Sequence, residues 1–170
     1  MRIALQRIYK KRFSGLAERN VVWSALVEHV FQKYIFTSDI VLDVGCGYGE
    51  FINSISCKKK YAIDILDVKK FLHKDIIFHK SSTIDIPLRS KTIDKIFVSN
   101  VFEHLSRNDI EKSIIEFKRV LKKSGEVFVV QPNVRFCGKD YWMFFDHITP
   151  IDDRALDEIF LSLGHFRSLP

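Results

Sequence analysis

The chain has 170 residues, with a hydrophobic content of 46% and a charged content of 28%, a composition typical of a globular domain with its own core. No apolar run approaches the roughly 20 residues of a transmembrane helix, and no secretory signal is apparent, so we expect a cytoplasmic protein. The three cysteines, Cys46, Cys57 and Cys137, form no CxxC pair, which argues against a disulfide framework.

The net charge of +6 is concentrated at the N-terminus. Residues 1–19 contain six Lys or Arg residues and one Glu. Such a segment suits contact with nucleic acid, anionic lipid or a phosphorylated substrate, although a solvated terminus has the same composition. We therefore divide the chain into a basic N-terminal arm, residues 1–19, and a single domain, residues 20–170.

Hydrophobic periodicity predicts the elements in chain order. The first is an amphipathic helix that ends near Phe36, with apolar residues at helical spacing: Val22 or Trp23, Leu26, Val30 and Tyr34. Short apolar runs then predict five strands, at residues 40–44, 59–65, 75–79, 94–100 and 126–131.

Two further helices follow from the same analysis. One carries Ile110, Ile114, Phe117 and Leu121 on one face and ends at residues 122–125, where basic residues and a glycine are typical of a helix C-terminus. The last helix spans residues 152–163, after a long aromatic connection. Strands that alternate with helices predict an α/β fold, a Rossmann-like three-layer αβα sandwich with a mostly parallel sheet.

The first strand runs into a loop with glycine at every second position, Gly45, Gly47 and Gly49. This spacing differs from the dinucleotide fingerprint, and Glu50 stands where a phosphate loop carries lysine. Asp43 and Glu50 would repel a pyrophosphate at the helix N-terminus. The two acids instead favour a ligand that carries an ammonium group, and S-adenosylmethionine fits this description.

The run Asp43-x-Gly45-x-Gly47-x-Gly49 resembles the first motif of class I S-adenosylmethionine-dependent methyltransferases of the type 11 or type 12 kind. The resemblance implies S-adenosylmethionine as the cofactor, with S-adenosylhomocysteine as product, and makes Cys46 a further loop contact. Asp64 lies about 20 residues past the loop, where a Rossmann-type site places an acid for the ribose hydroxyls. Ile65 would then flank the adenine.

Two later stretches extend the resemblance. Residues 82–96 resemble a family segment in which an aspartate contacts the adenine, and the match places Ser82 at that position, followed by Thr83. Residues 99–105 resemble the fourth motif, Asn-x-x-Glu-His, which implies that Ser99 and Asn100 lie near the cofactor's methionine and His104 near the transfer centre.

The aromatic segment 141–150 contains an Asp-His pair that family members often show before the final helix. His147 is therefore a second candidate general base beside His104, since imidazole titrates near neutrality. A structural turn at Glu103-His104 and an aromatic plug at 141–150 are the alternatives. The histidines and cysteines show no metal-ligand spacing, so the sequence predicts no metal site.

Methyl transfer needs mainly alignment of the reactants, so the motifs predict the reaction better than the acceptor. The segment after strand four lacks an Asn/Asp-Pro-Pro-aromatic run, and Asn133 rather than cysteine follows Pro132, which disfavours methylation of nucleobases. We expect an O- or N-methyltransferase acting on a small molecule, sugar or lipid-linked acceptor. The alternatives are an RNA methyltransferase that uses the basic arm and a non-catalytic methyltransferase-like subunit.

The resemblance also implies a departure at the C-terminus. The family sheet usually ends with an antiparallel pair, whereas residues 165–170 leave room for a stub of strand six at most. We therefore expect the C-terminal antiparallel strands to be short or absent, which leaves strand five as an exposed edge. A second copy of the chain, in a homo-oligomer, is a candidate cover for that edge.

Overall fold

The computed structural model describes residues 7–8 and 16–163. The strands within residues 16–163 are β1 (Ile40–Val44), β2 (Lys59–Asp64), β3 (Ile76–Lys80), β4 (Ile93–Ser99) and β5 (Leu121–Val130). They form one parallel sheet in the order β3-β2-β1-β4-β5. The strand order reverses between β1 and β4, so the carboxyl ends of these two strands flank the crevice where such sheets bind ligands.

Helices cover both faces of this sheet. The α-helices of the described residues are α1 (Leu16–His29), α2 (Glu50–Ser54), α3 (Arg107–Val120), α4 (Val134–Cys137) and α5 (Asp153–Leu163). Single 3-10 turns lie at Phe31–Tyr34, Lys69–Phe71, Phe102–His104 and Gly138–Met143. α1 and α2 pack on one face, and α3 and α5 on the other. The predicted Rossmann-like αβα sandwich is confirmed.

The two faces of the sheet differ in their packing. Because side chains alternate along a strand, Leu42 and Val44 of β1 join an aliphatic core under α3 and α5. Phe97 of β4 points to the opposite face, where its ring stacks on Phe51 at a centroid distance of 3.6 Å. The ring of Trp23 from α1 packs edge-to-face with the Phe97 ring, at a centroid distance of 5.9 Å. Aromatic packing on this face therefore attaches α1 and α2 to the sheet.

The first helix differs from the prediction in its end and its buried face. The prediction of one continuous helix that ends near Phe36 is wrong, because α1 ends earlier and a separate 3-10 turn follows. Trp23 packs into the core as one of the two predicted options, but Val22 and Leu26 are exposed and Val27 is buried instead. Apolar residues surround this helix, so periodicity does not specify which side meets the aromatic face.

The start of β5 also differs from the prediction. Residues 122–125 were expected to end a helix, but α3 ends before them and they belong to β5. The backbone of Leu121 is extended, with φ −66° and ψ 141°, and it pairs with Ile93 of β4. Lys122 Nζ lies 2.7 Å from an Asp94 carboxylate oxygen. An inter-strand ion pair therefore uses a lysine that resembles a helix-terminal residue in sequence.

In the part of the chain that the structure describes, β5 is an edge strand, as the sequence predicted. Residues 164–170, where a sixth strand would begin, lie outside the described residues. Most of the predicted basic arm, residues 1–6 and 9–15, lies outside them as well. Across the described ranges, no helix combines the length and the apolar character that crossing a membrane requires.

Candidate active site

A cavity of about 260 Å³ opens at the carboxyl ends of β1 and β4. Its walls come from α1, the glycine loop, the exit of β4 and the segment after β5. The lining residues are Arg19, Trp23, Asp43, Gly45, Cys46, Gly47, Glu50, Phe51, Phe97, Ser99, Asn100, Glu103, His104, Pro132, Phe144 and His147. The cavity thus brings together eight of the residues predicted from sequence and adds others.

The glycine loop turns from β1 into α2 with three residues in the left-handed region. Gly45, Gly47 and Gly49 have φ of 68°, 53° and 80°, which glycine adopts without steric cost. A Cβ on Gly45 would lie 2.5 Å from Val101 Cγ2. The loop therefore needs glycine for its backbone conformation and, at Gly45, for its close approach to the segment after β4.

Three acidic residues surround this loop. Burial raises the pKa of Asp43 well above its usual value, and the charges of Glu50 and Asp64 raise it further. Burial also raises the pKa of Asp64, although its carboxylate accepts hydrogen bonds from Gly47 N at 3.0 Å and Leu66 N at 2.8 Å. A bound cation would be attracted to this group of carboxylates and would favour their ionised forms.

Cys46 lies in the loop between these acids and is buried. Burial raises the pKa of its thiol, and the nearby charge of Asp43 adds to the shift. Because the thiolate is the reactive form of cysteine, this residue supplies apolar lining rather than a nucleophile.

Arg19 is a site residue that the sequence analysis assigned to the basic arm. Its Nε donates to Glu50 Oε1 at 2.9 Å, and the side chains are 37% and 6% exposed. The packing of α1 against α2 brings this guanidinium to the cavity. No local pattern distinguishes Arg19 from the other basic residues of the N-terminus, so only the fold identifies it.

The exit of β4 contributes two of the predicted cofactor residues. Asn100 has a φ of 52°, in the left-handed region that asparagine tolerates better than most residues. Its backbone N donates to Val130 O at 2.8 Å, and its Nδ2 donates to Ser99 Oγ at 3.0 Å. The turn is therefore tied to the end of β5, beside the glycine loop.

The two predicted candidate bases lie together on the far wall. The rings of His104 and His147 have centroids 5.0 Å apart, and the ring of Phe144 lies 5.0 Å from that of His147. His104 Nδ1 is 2.9 Å from Asp146 O. Since a carbonyl oxygen only accepts hydrogen bonds, Nδ1 is the donor, and the neutral imidazole has its lone pair on Nε2.

Backbone hydrogen bonds hold this wall together across more than 40 residues of sequence. Glu103 O accepts from Ile148 N at 2.8 Å and from Thr149 N at 3.2 Å. The buried Tyr141 hydroxyl donates to Thr149 O. Glu103 itself is 1% exposed and lines the cavity, although the sequence analysis gave it only a structural role. Its position beside His147, more than 40 residues further along the chain, follows from tertiary structure alone.

Five predicted cofactor residues do not line this cavity, namely Gly49, Asp64, Ile65, Ser82 and Thr83. Asp64 is connected to it through its bond to Gly47, whereas Ile65 is 49% exposed. The Thr83 hydroxyl is buried and lies 2.6 Å from Ser113 Oγ. The roles predicted for these residues remain predictions.

Comparison with known proteins places the fold in a family. The family model for a methyltransferase domain matches residues 42–129, just over half of the chain. The chain is 31% identical over 98 residues to an uncharacterised protein of Methanocaldococcus jannaschii, covering 55% of this chain and 41% of that protein. It spans less than half the length of this relative and of a second one from the same organism.

Two solved structures share the fold. A SAM-dependent methyltransferase from Archaeoglobus fulgidus has a TM-score of 0.76 and 24% identity, covering 94% of this chain and 73% of that chain. The complex between the Haloferax volcanii Trm112 methyltransferase activator and a putative methyltransferase gives a TM-score of 0.75 and 17% identity, with the same coverage.

The chain therefore belongs to the methyltransferase domain family, and S-adenosylmethionine is its cofactor. Both predictions from the sequence are confirmed. The residues present fit this cofactor, since the loop backbone leaves room for close approach and the buried carboxylates suit its sulfonium and ammonium charges. S-adenosylhomocysteine is the product that such a cofactor leaves.

Proposed function

We propose that the domain methylates an oxygen or nitrogen atom of a small-molecule, sugar or lipid-linked acceptor. The observation that carries the proposal is one cavity shared by the glycine loop and the imidazoles of His104 and His147. When bound, S-adenosylmethionine supplies an electrophilic methyl carbon on a sulfonium sulfur. The wall that carries the imidazoles, with Pro132 and Phe144 as apolar surface, then faces the acceptor.

The chain's own residues have two tasks in this proposal. Asp43 and the glycine loop hold the cofactor, and Arg19 binds its carboxylate. The hydrogen bond of Arg19 Nε to Glu50 orients the guanidinium at the cavity. His104 and His147 orient the acceptor beside the methyl group, and alignment of this kind supplies much of the rate enhancement.

Calorimetry with S-adenosylhomocysteine tests the cofactor half of the proposal. We expect 1:1 binding to the full chain and about 10-fold weaker binding for Arg19→Ala, in line with one lost charge-assisted contact. Arg154→Ala is the matched control, because Arg154 also pairs with an acid, Asp152, but lies on α5. Absence of binding at about 1 mM ligand, the upper end of the usual KM range of enzymes, would overturn the proposal.

RNA methylation is the second candidate function. Its support is the basic N-terminus and the 31% identity over 104 residues to the ribosomal RNA-processing protein 8 of Drosophila melanogaster. If the domain methylates RNA, deletion of residues 1–12 should abolish salt-dependent RNA binding. If it methylates a small acceptor, the same deletion should leave that methyl transfer intact. Binding of S-adenosylhomocysteine without transfer to either class would favour the non-catalytic subunit instead.

The location and assembly of the protein belong to the same proposal. We place it in the cytoplasm, where the cofactor is made available to soluble enzymes, and we assign a second copy of the chain to the β5 edge. The position of β5 at the end of the sheet supports this assignment, because an unpaired edge favours pairing with another chain.

A further inference from the structure

One wall of the cavity brings together three side chains that are typical metal ligands. Glu103, His104 and His147 each direct one ligand atom into a group whose members lie within 4.8 Å of one another. Glu103 and His147 are 1% and 8% exposed, and the His104 side chain 21%. We propose that these residues bind a divalent transition-metal ion that in turn binds the acceptor, an inference that rests on the proposed function.

The ligand set indicates the class of metal. Two imidazole nitrogens and one carboxylate oxygen suit ions from Mn²⁺ to Zn²⁺, whereas Mg²⁺ prefers oxygen ligands alone. Three protein ligands leave coordination positions for water or substrate, as catalytic sites require. Because all three residues line the cavity, these open positions face the space assigned to the acceptor.

The hydrogen bonding of His104 already matches that of a metal ligand. Its Nδ1 donates to Asp146 O at 2.9 Å, which leaves the lone pair on Nε2. That nitrogen is the atom 4.0 Å from Glu103 Oε1. Metal-binding histidines generally donate their other N–H to a carbonyl or carboxylate, which sets the tautomer and the ring orientation.

The backbone positions the ligands before any ion binds. The two hydrogen bonds that Glu103 O accepts from Ile148 N and Thr149 N hold the turn of Glu103 and His104 against His147. Metal bonds of about 2.1 Å place neighbouring ligand atoms about 3 Å apart, so binding requires side-chain movements of about 1–2 Å. Rotations of buried side chains provide movements of this size without a change of fold.

Charge also favours an ion at this position. A divalent ion between Glu103 and the two imidazoles would pair with the charge of a carboxylate that is almost fully buried. The ion in turn lowers the pKa of a coordinated hydroxyl group. The hydroxyl proton would leave to solvent water. The acceptor oxygen would then bond to the methyl carbon of S-adenosylmethionine as the C–S bond breaks, and the electron pair of that bond would stay on sulfur in S-adenosylhomocysteine. His104 and His147 are then ligands rather than general bases.

The site therefore specifies the acceptor further. A sugar with two neighbouring oxygens would occupy two of the open positions, and one of these oxygens would accept the methyl group. An amine acceptor has no need of such an ion, so the proposal selects oxygen over nitrogen.

Visible absorption of Co²⁺ added to the untagged, chelator-treated full chain tests the site, since Co²⁺ reports its own ligands. We expect saturation at one ion per chain. Binding should weaken by about 100-fold or more in His147→Ala and Glu103→Gln, because loss of a ligand exceeds the 10- to 100-fold effect of losing an outer partner. His73→Ala, at an exposed histidine that does not line the cavity, should bind as the unaltered chain does.

Equal Co²⁺ binding by the unaltered chain and both ligand variants would overturn the proposal, and so would absence of binding to the folded chain. Where circular dichroism shows that a buried variant is unfolded, His104→Gln replaces it, because that side chain is partly exposed. S-adenosylhomocysteine binding separates the two proposals. If it persists without Co²⁺ binding, only the metal site is rejected; if it is absent, the proposed function is rejected.

Discussion

The two walls of the cavity are built in different ways. The cofactor wall, residues 43–50, is one continuous strand, turn and helix whose shape comes from backbone conformation. The acceptor wall, residues 103–104 and 144–147, joins two segments that are distant in sequence through hydrogen bonds to Glu103 O. The cofactor wall therefore depends on local backbone conformation, whereas the acceptor wall depends on side chains that only the folded chain brings together.

Substitution in the cofactor wall should have the largest effect. Gly47→Val places a branched side chain at a φ of 53°, where strain costs about 1–3 kcal/mol. In the proposed binding mode it also fills space assigned to the adenosyl group. We expect S-adenosylhomocysteine binding to fall by more than about 100-fold, equivalent to about 3 kcal/mol, as measured by calorimetry.

Gly138→Val is the matched control for this variant. Gly138 has the same φ of 53°, and nothing lies within 4 Å of its Cβ position. Its φ is therefore equally unfavourable for valine, but Gly138 does not line the cavity. Equal loss of affinity in both variants would show that strain, rather than occupation of the cofactor space, is responsible.

The buried carboxylates of the cofactor wall should lower the free energy of unfolding of the domain, although they favour binding of the cofactor. Burial raises the pKa of Asp43, so the folded state holds this proton more tightly than the unfolded state. The unfolding free energy therefore falls as pH rises from 3.8 through the raised pKa. Asp43→Asn removes this loss, and we expect it to be about 1–2 kcal/mol more stable at pH 7 while binding S-adenosylhomocysteine more weakly.

Urea unfolding at pH 4 and pH 7 measures this difference. The gain should shrink towards pH 4, because the pH there is close to the ordinary pKa of 3.8 and little of the stability loss has accumulated. Asp67→Asn, at an exposed position, is the control and should show no such pH dependence. An Asp43→Asn variant that is less stable at pH 7 would contradict the expected cost of burial.

Substitution in the support of the acceptor wall should have the smallest effect. Tyr141→Phe removes the buried hydroxyl that donates to Thr149 O, at a cost of about 1 kcal/mol. We expect the Tm to fall by about 2–4 °C with unchanged S-adenosylhomocysteine affinity. Tyr34→Phe, at a residue that is 46% exposed, should leave both unchanged. A loss of cofactor affinity in Tyr141→Phe would show that the two walls are coupled.

The elements that could be predicted from sequence are those whose cause is local. β1 and the glycine loop were predicted because an apolar run is followed directly by glycine at every second position. The buried face of α1 was predicted incorrectly, since apolar residues surround it and only Phe97 and Phe51 decide which side packs. The start of β5 was missed because pairing with Ile93 overrides a helix-ending composition.

The sequence by itself determined the fold class through its periodicity, and it indicated the family and the cofactor through its resemblance to the first methyltransferase motif. Only the tertiary structure placed Arg19 at the cavity, since that requires α1 to pack against α2. It also placed Glu103 beside His104 and His147. Residues more than 40 positions apart have no spacing rule, and the backbone hydrogen bonds that join their segments exist only in the folded chain.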